Sequence, residues 1–311
     1  MVANHAGVRW LSADEGGRGL NGALIFAGSL APVLFFTVTG IGRGVQAASG
    51  ANRSLWGVLA RVAVLFLADA ALWLSPATHV GMDFLGFIGL STLLVEVVNR
   101  ARRPNAWAAA LLGACLIIRF GIGPRLGLSA GHGATNDLLR YLVGDSSLPG
   151  FSYAPMPWLA YPLFGLLVGR LAAANAARLR AARAAWAGAL AAGALLGFAA
   201  CLVLARRGMI FFRWGSLSFA YFVFGFAALL GAFALVLAAV RGLPPRAVKT
   251  ISLPGMASFI LVPVHYVLVA LLARVLPPES APRVFLLAVP FVIVAVLALS
   301  KIVDRPFPPP R

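Results

Sequence analysis

Apolar runs of about 20 residues, long enough to cross a hydrocarbon core of roughly 30 Å as helices, recur from one end of this chain to the other. Inside a bilayer every backbone N–H and C=O must be satisfied within its own segment, so such runs fold as helices. They cover Gly22–Val45, Leu55–Leu74, Met82–Val98, Ala106–Ile122, Met156–Ala174, Ala185–Ala205, Leu217–Val240, Gly255–Ala273 and Val284–Val303. This pattern predicts an all-α polytopic transmembrane bundle of about nine spans. The connections are too short to fold as soluble domains, so residues 1–311 are read as one membrane domain. Composition agrees: 61% of the residues are hydrophobic and only 11% charged, against roughly 25% charged in a soluble chain.

The net charge of +17 points to membrane headgroups rather than nucleic acid, because the arginines cluster in short connections between apolar runs. Their distribution predicts an N-terminus outside and a C-terminus inside, in a membrane such as the bacterial inner membrane. Arg43, Arg100, Arg102, Arg103 and Arg170 then share the inner side. Cys115 and Cys201 sit in apolar runs without metal-ligand spacing, so no metal site is expected. Gly40 with Gly44, and Gly165 with Gly169, have the four-residue spacing that lets two helices approach closely. Pro32, Pro162, Pro263 and Pro290 fall inside predicted spans, where proline bends a helix.

Ionisable groups in a span are costly and usually face a polar cavity or one another. The second run holds Arg61 and Asp69, eight residues apart and read as sharing a face; Asp69 is expected to pair with an arginine or a hydroxyl. The third holds Asp83 and Glu96, the fourth ends in Arg119, and the eighth contains His265. A plainer reading has Arg61 and Glu96 near helix ends, reaching water, and His265 bonded to a carbonyl that Pro263 frees. The connection Gly123–Pro155 is much longer than its neighbours and carries Gly131-His132-Gly133 and Thr135-Asn136-Asp137. Thr135 or Asn136 is placed to cap a short helix through about Val143. Such a connection is either a binding loop or a solvated linker.

At the N-terminus, Asn4-His5 precedes a segment read as an outer loop with Trp10 and Asp14-Glu15, then Phe35-Phe36-Thr37-Val38-Thr39-Gly40. Further on come Pro157-Trp158, Gly165-x-x-x-Gly169, and Gly255-Met256-Ala257-Ser258 leading to His265. In this order the motifs resemble the membrane acyltransferases, of the acyltransferase-3 type or like the heparan-α-glucosaminide N-acetyltransferase catalytic domain. Val262 stands where that family more often has an aromatic. The family also carries an Arg-x-x-x-(Leu/Ile)-Asp-x-x-Arg-Gly signature ahead of the histidine, for which this chain has no counterpart. The expectation is a bundle of ten spans whose first helix is missing here, or a natural shortened paralogue.

The resemblance implies acyl transfer from acyl-CoA, typically acetyl-CoA, to a glycan or lipid acceptor. His5 is the implied base or nucleophile, with Asp69, Asp83 and Asp137 as candidates to orient it. Arg43, Arg61 and Arg119 are candidates for the donor phosphates, the alternative being charges that only set topology. His132, Asp137 and His265 are the candidate substrate contacts. Two other classes stay open: a transporter or lipid flippase with a polar path through Asp69, Glu96 and His265, and a membrane scaffold without catalysis.

Overall fold

The structure, a computed structural model, describes residues 2–12, 14, 18–50, 54–72, 83–126, 133–144, 153–209, 218–240, 242–244, 246–248, 252, 258–276 and 282–303. Helices dominate them: α1 Val2–Trp10, α2 Gly19–Ala48, α3 Leu55–Leu72, α4 Phe84–Arg100, α5 Pro104–Leu116, α6 Ala134–Leu142 and α7 Pro155–Trp158. Then follow α8 Ala160–Ala174, α9 Ala176–Ala181, α10 Arg183–Arg206, α11 Phe219–Ala239, α12 Ser258–Val275 and α13 Pro282–Val303. Helix α5 continues as a π turn, Ile117–Ile122, and a 3₁₀ turn, Gly123–Arg125.

A helix overlaps each of the nine predicted runs. Among the described residues, seven are long and apolar enough to cross a membrane: Gly19–Ala48, Leu55–Leu72, Pro104–Arg125, Pro155–Ala174, Arg183–Arg206, Phe219–Ala239 and Pro282–Lys301. The other two are shorter, α4 at 17 residues and an apolar stretch Leu261–Val275 in α12. The chain is an all-helical integral membrane protein.

It divides into two compact units. The first comprises Met1–Ala31, Leu72–Thr78 and Ala239–Arg311. Its core joins Ala3, Ala6 and Trp10 of α1 to Val269 of α12 and to Phe285, Ala288, Val289 and Val292 of α13. Trp10 is expected in a loop that follows His5, and the structure corrects this by placing both in helix α1. Ala3, Ala6 and Trp10 recur at helical spacing and are all buried, so burial of one face stabilises a helix too short to persist alone. Gly7 sits close against Ile25 of α2, where a Cβ would come within 2.9 Å of Ile25 Cδ1.

The second unit comprises Pro32–Ala71 and His79–Ala238. Its centre is the seam between α2 and α8. A Cβ at Gly40 would lie 2.6 Å from Leu166 N, and one at Gly44 2.6 Å from Leu166 O. Reciprocally, Gly165 faces the Thr37 carbonyl and Gly169 the Ile41 carbonyl. The two four-residue glycine repeats therefore interleave, and backbone meets backbone. Phe36 packs on Phe84 and Phe87 near the start of α4, while Arg43 reaches Glu96 near its end. Helices α2, α4 and α8 thus run parallel, with α3 and α5 returning between them. Tyr161 stacks on Phe226 at a ring separation of 5.2 Å, joining α8 to α11.

The short helix expected in the long connection is α6. Its N-cap position is Gly133, not Thr135 or Asn136, and no side chain caps it. The Tyr141 hydroxyl donates to the Tyr153 carbonyl at 2.9 Å, tying α6 to the entrance of α7. Burial pushes this phenol up to about 12, so it remains a donor at physiological pH.

Candidate active site

Candidate side chains gather at one place in the first unit and at two in the second. In the first unit, α1 carries His5 and α12 carries His265 and Tyr266. The two imidazole centroids are 5.3 Å apart, His5 lies 4.0 Å from the Tyr266 ring, and His265 lies 4.6 Å from it. Only 3% of His265 is exposed. Its Nδ1 lies 3.3 Å from the Leu261 carbonyl oxygen. A carbonyl only accepts, so this contact makes Nδ1 the protonated nitrogen and leaves the lone pair on Nε2. Nε2 is buried and has no hydrogen-bond partner among the described residues. The carbonyl used is that of Leu261, four residues back, whereas the N–H missing at Pro263 would have served Phe259. Tyr266 was not singled out from sequence; its only signal there is direct adjacency to His265.

In the second unit, Asp69 and Asp83 come together. Asp69 is 2% exposed, and its carboxylate accepts from the backbone N–H groups of Asp83, at 2.8 Å, and Leu85, at 3.2 Å. It meets the start of α4, where N–H groups lack intrahelical partners and the helix dipole favours negative charge. The partner expected for Asp69, an arginine or hydroxyl, is replaced by helix-end amides. Replacing Asp69 with alanine would leave those donors unpaired, and a stability loss of about 1–3 kcal/mol is expected, measurable as a lower thermal midpoint in detergent.

Arg61 does not share that face. Eight residues advance a helix by about 800°, or roughly 80° beyond two turns, enough to separate the two side chains. The buried stripe of α3 runs through Val58, Val62, Leu65, Asp69 and Leu72, and Arg61 is exposed beside it.

Arg43 lies at the opposite end of α4 from Asp69, in a buried ion cluster. Its Nη2 pairs with Glu96 Oε2, Arg100 Nε donates to Glu96 Oε1 at 2.6 Å, and Arg43 Nη1 donates to Gln46 at 3.1 Å. Arg43 and Glu96 are 6% and 3% exposed, so Glu96 does not reach out to water. Arg119 is half-buried in the π turn, with its guanidinium carbon 5.7 Å from the Phe120 centroid. Asp137 occupies the first turn of α6, and His132 lies outside the described residues.

The two imidazoles lie side by side in one ring cluster of the first unit, which makes them the candidate pair for proton transfer. The family model for the heparan-alpha-glucosaminide N-acetyltransferase catalytic domain matches residues 13–203, and the chain belongs to that family. No curated protein and no solved structure matches it. The matched segment includes the glycine seam, Asp69, Asp83, Arg43, Arg61, Arg119, His132 and Asp137. His5, His265 and Tyr266 fall outside it.

Proposed function

We propose that this protein transfers an acyl group, acetyl by family, from acyl-CoA to a hydroxyl or amine on a glycan or lipid. The observation that carries the chemistry is the buried His265 Nε2, without a hydrogen-bond partner among the described residues and in the same ring cluster as His5. In this reading the histidine pair is the general base, with His5, the more accessible of the two, facing the acceptor. It takes the acceptor proton as the acceptor oxygen or nitrogen attacks the thioester carbonyl. The new C–O or C–N bond forms, the C–S bond breaks, and the proton passes to the departing thiolate.

The test is label transfer from acetyl-CoA into the lipid or glycan fraction of membranes containing the full-length protein. His5→Ala should lower the rate by about 10²–10⁴, the usual contribution of a positioned base, and His265→Ala should lower it as well. Full transfer in both variants would sink the assignment. Movement of label across the membrane without acylation would instead favour the transporter class.

A further inference from the structure

At the end of the second unit that holds the Glu96 cluster, arginines gather and one of them, Arg170, is held by neutral partners. Three guanidiniums, those of Arg43, Arg100 and Arg170, stand against a single carboxylate, Glu96. Arg170, near the end of α8, donates Nε to Asn105 Oδ1 at 2.8 Å and Nη1 to Asn99 Oδ1 at 2.7 Å. Two neutral amides fix where this guanidinium points without neutralising it, and no carboxylate pairs with it among the described residues. Arg43, 6% exposed, has a buried Nε with no hydrogen-bond partner among the described residues. Arg102 and Arg103, in the turn between α4 and α5 beside Asn99 and Asn105, are exposed.

The other described acids of this unit lie elsewhere. Asp69 and Asp83 are at the opposite end of α4, about 20 Å away along its axis. Asp137 belongs to α6, which packs on α7 ahead of α8. The C-terminal dipoles of α2, α4 and α8 favour cations at this end, but dipoles alone give no reason to clamp Arg170 between asparagines of two other helices. An oriented, unneutralised guanidinium beside a second with an unused donor is the arrangement that receives an oxyanion through charge-assisted hydrogen bonds.

We infer that the Arg43–Arg100–Arg170 cluster is a binding site for a phosphate-bearing anion, with Arg170 as its principal contact and Arg102 and Arg103 at its rim. The unneutralised Arg170 guanidinium, with the unused Arg43 Nε donor beside it, suits a phosphate or a diphosphate. That chemistry has two sources, the phosphates of a coenzyme A donor and the headgroup of an anionic phospholipid. Only the first rests on the acyl-transfer reading. The inference is read by binding, so an inactive protein that binds leaves it standing, and acyl transfer can equally survive its failure.

The experiment uses the purified full-length chain. In neutral detergent, calorimetric titration with coenzyme A measures the first source. In nanodiscs, the thermal midpoint with phosphatidylglycerol included, compared with phosphatidylcholine alone, measures the second. For whichever probe binds, Arg170→Gln should weaken binding about tenfold, as expected for losing one charge-assisted contact, and binding should fall with added salt. Arg206→Gln, an exposed arginine at the far end of α10, should change nothing. Should Arg170→Gln fail to fold, the Arg102→Gln/Arg103→Gln double variant replaces it, since both side chains are exposed, and a weakened probe remains the expected result. The inference is overturned if neither probe stabilises or binds the wild type. It is equally overturned if the arginine variants bind normally, or if Arg206→Gln weakens binding as much as they do.

Discussion

Replacing Glu96 with alanine is expected to cost about 3–5 kcal/mol, the penalty for stranding a buried charge. The carboxylate is the shared partner of Arg43 and Arg100, and Arg43 sits where water does not replace it, at 6% exposure. Against a total stability of roughly 5–15 kcal/mol, that loss should appear as a sharply lower detergent unfolding midpoint and poor yield. Adding Arg43→Met should recover much of it, because removing both charges also removes their desolvation cost. A Glu96→Ala protein as stable as wild type would mean the ion cluster does not hold α2 against α4. Failure of Arg43→Met to rescue would place the damage elsewhere.

The second large effect is expected at the glycine seam. In Gly165→Leu the new side chain would be built into backbone: its Cβ runs into the Thr37 carbonyl and comes within 3.1 Å of Ile41 N. Backbone does not yield by rotamer change, so α2 and α8 would have to separate and lose their close packing. No folded protein should survive detergent extraction, as read by size-exclusion chromatography. Gly42→Ala is the control. It lies on α2, the other helix of the seam, with no described residue within 4 Å of its Cβ, and alanine there should be neutral or slightly stabilising. A monodisperse Gly165→Leu protein would show that the seam can open without harm.

The membrane helices were legible because hydropathy over about 20 residues is a property of each segment alone. The α2–α8 seam was legible in kind, since glycine spacing marks a face, although which repeat meets which depends on three-dimensional packing. Helix α1 was not legible: nine residues fall short of a span, and their order comes from burial of Ala3, Ala6 and Trp10 against helices more than 250 residues further along the chain. The shared face assigned to Arg61 and Asp69 failed on simple angular arithmetic. Asp69 found amides instead of an arginine because helix-end N–H groups are invisible until α4 is placed beside it. Glu96 reads as an end charge reaching water and Arg43 as a phosphate contact or a topology-setting charge, because their pairing joins residues 53 apart. Of the ring cluster, His5 and His265 were identifiable as ionisable side chains, whereas Tyr266 gains meaning only from the approach of α1.

Synthesis from the N-terminus sets an order on these contacts. Helix α2 leaves the ribosome with Arg43 lacking its carboxylate, which follows 53 residues later. The bare surface at Gly40 and Gly44 waits longer still, for Gly165 and Gly169. Nascent α2 must therefore be kept at the insertion machinery, or with its arginine in the headgroup layer, until α4 arrives to neutralise it. Helix α8 then closes the groove. The contacts that hold the finished second unit together are therefore absent while only its first half has emerged.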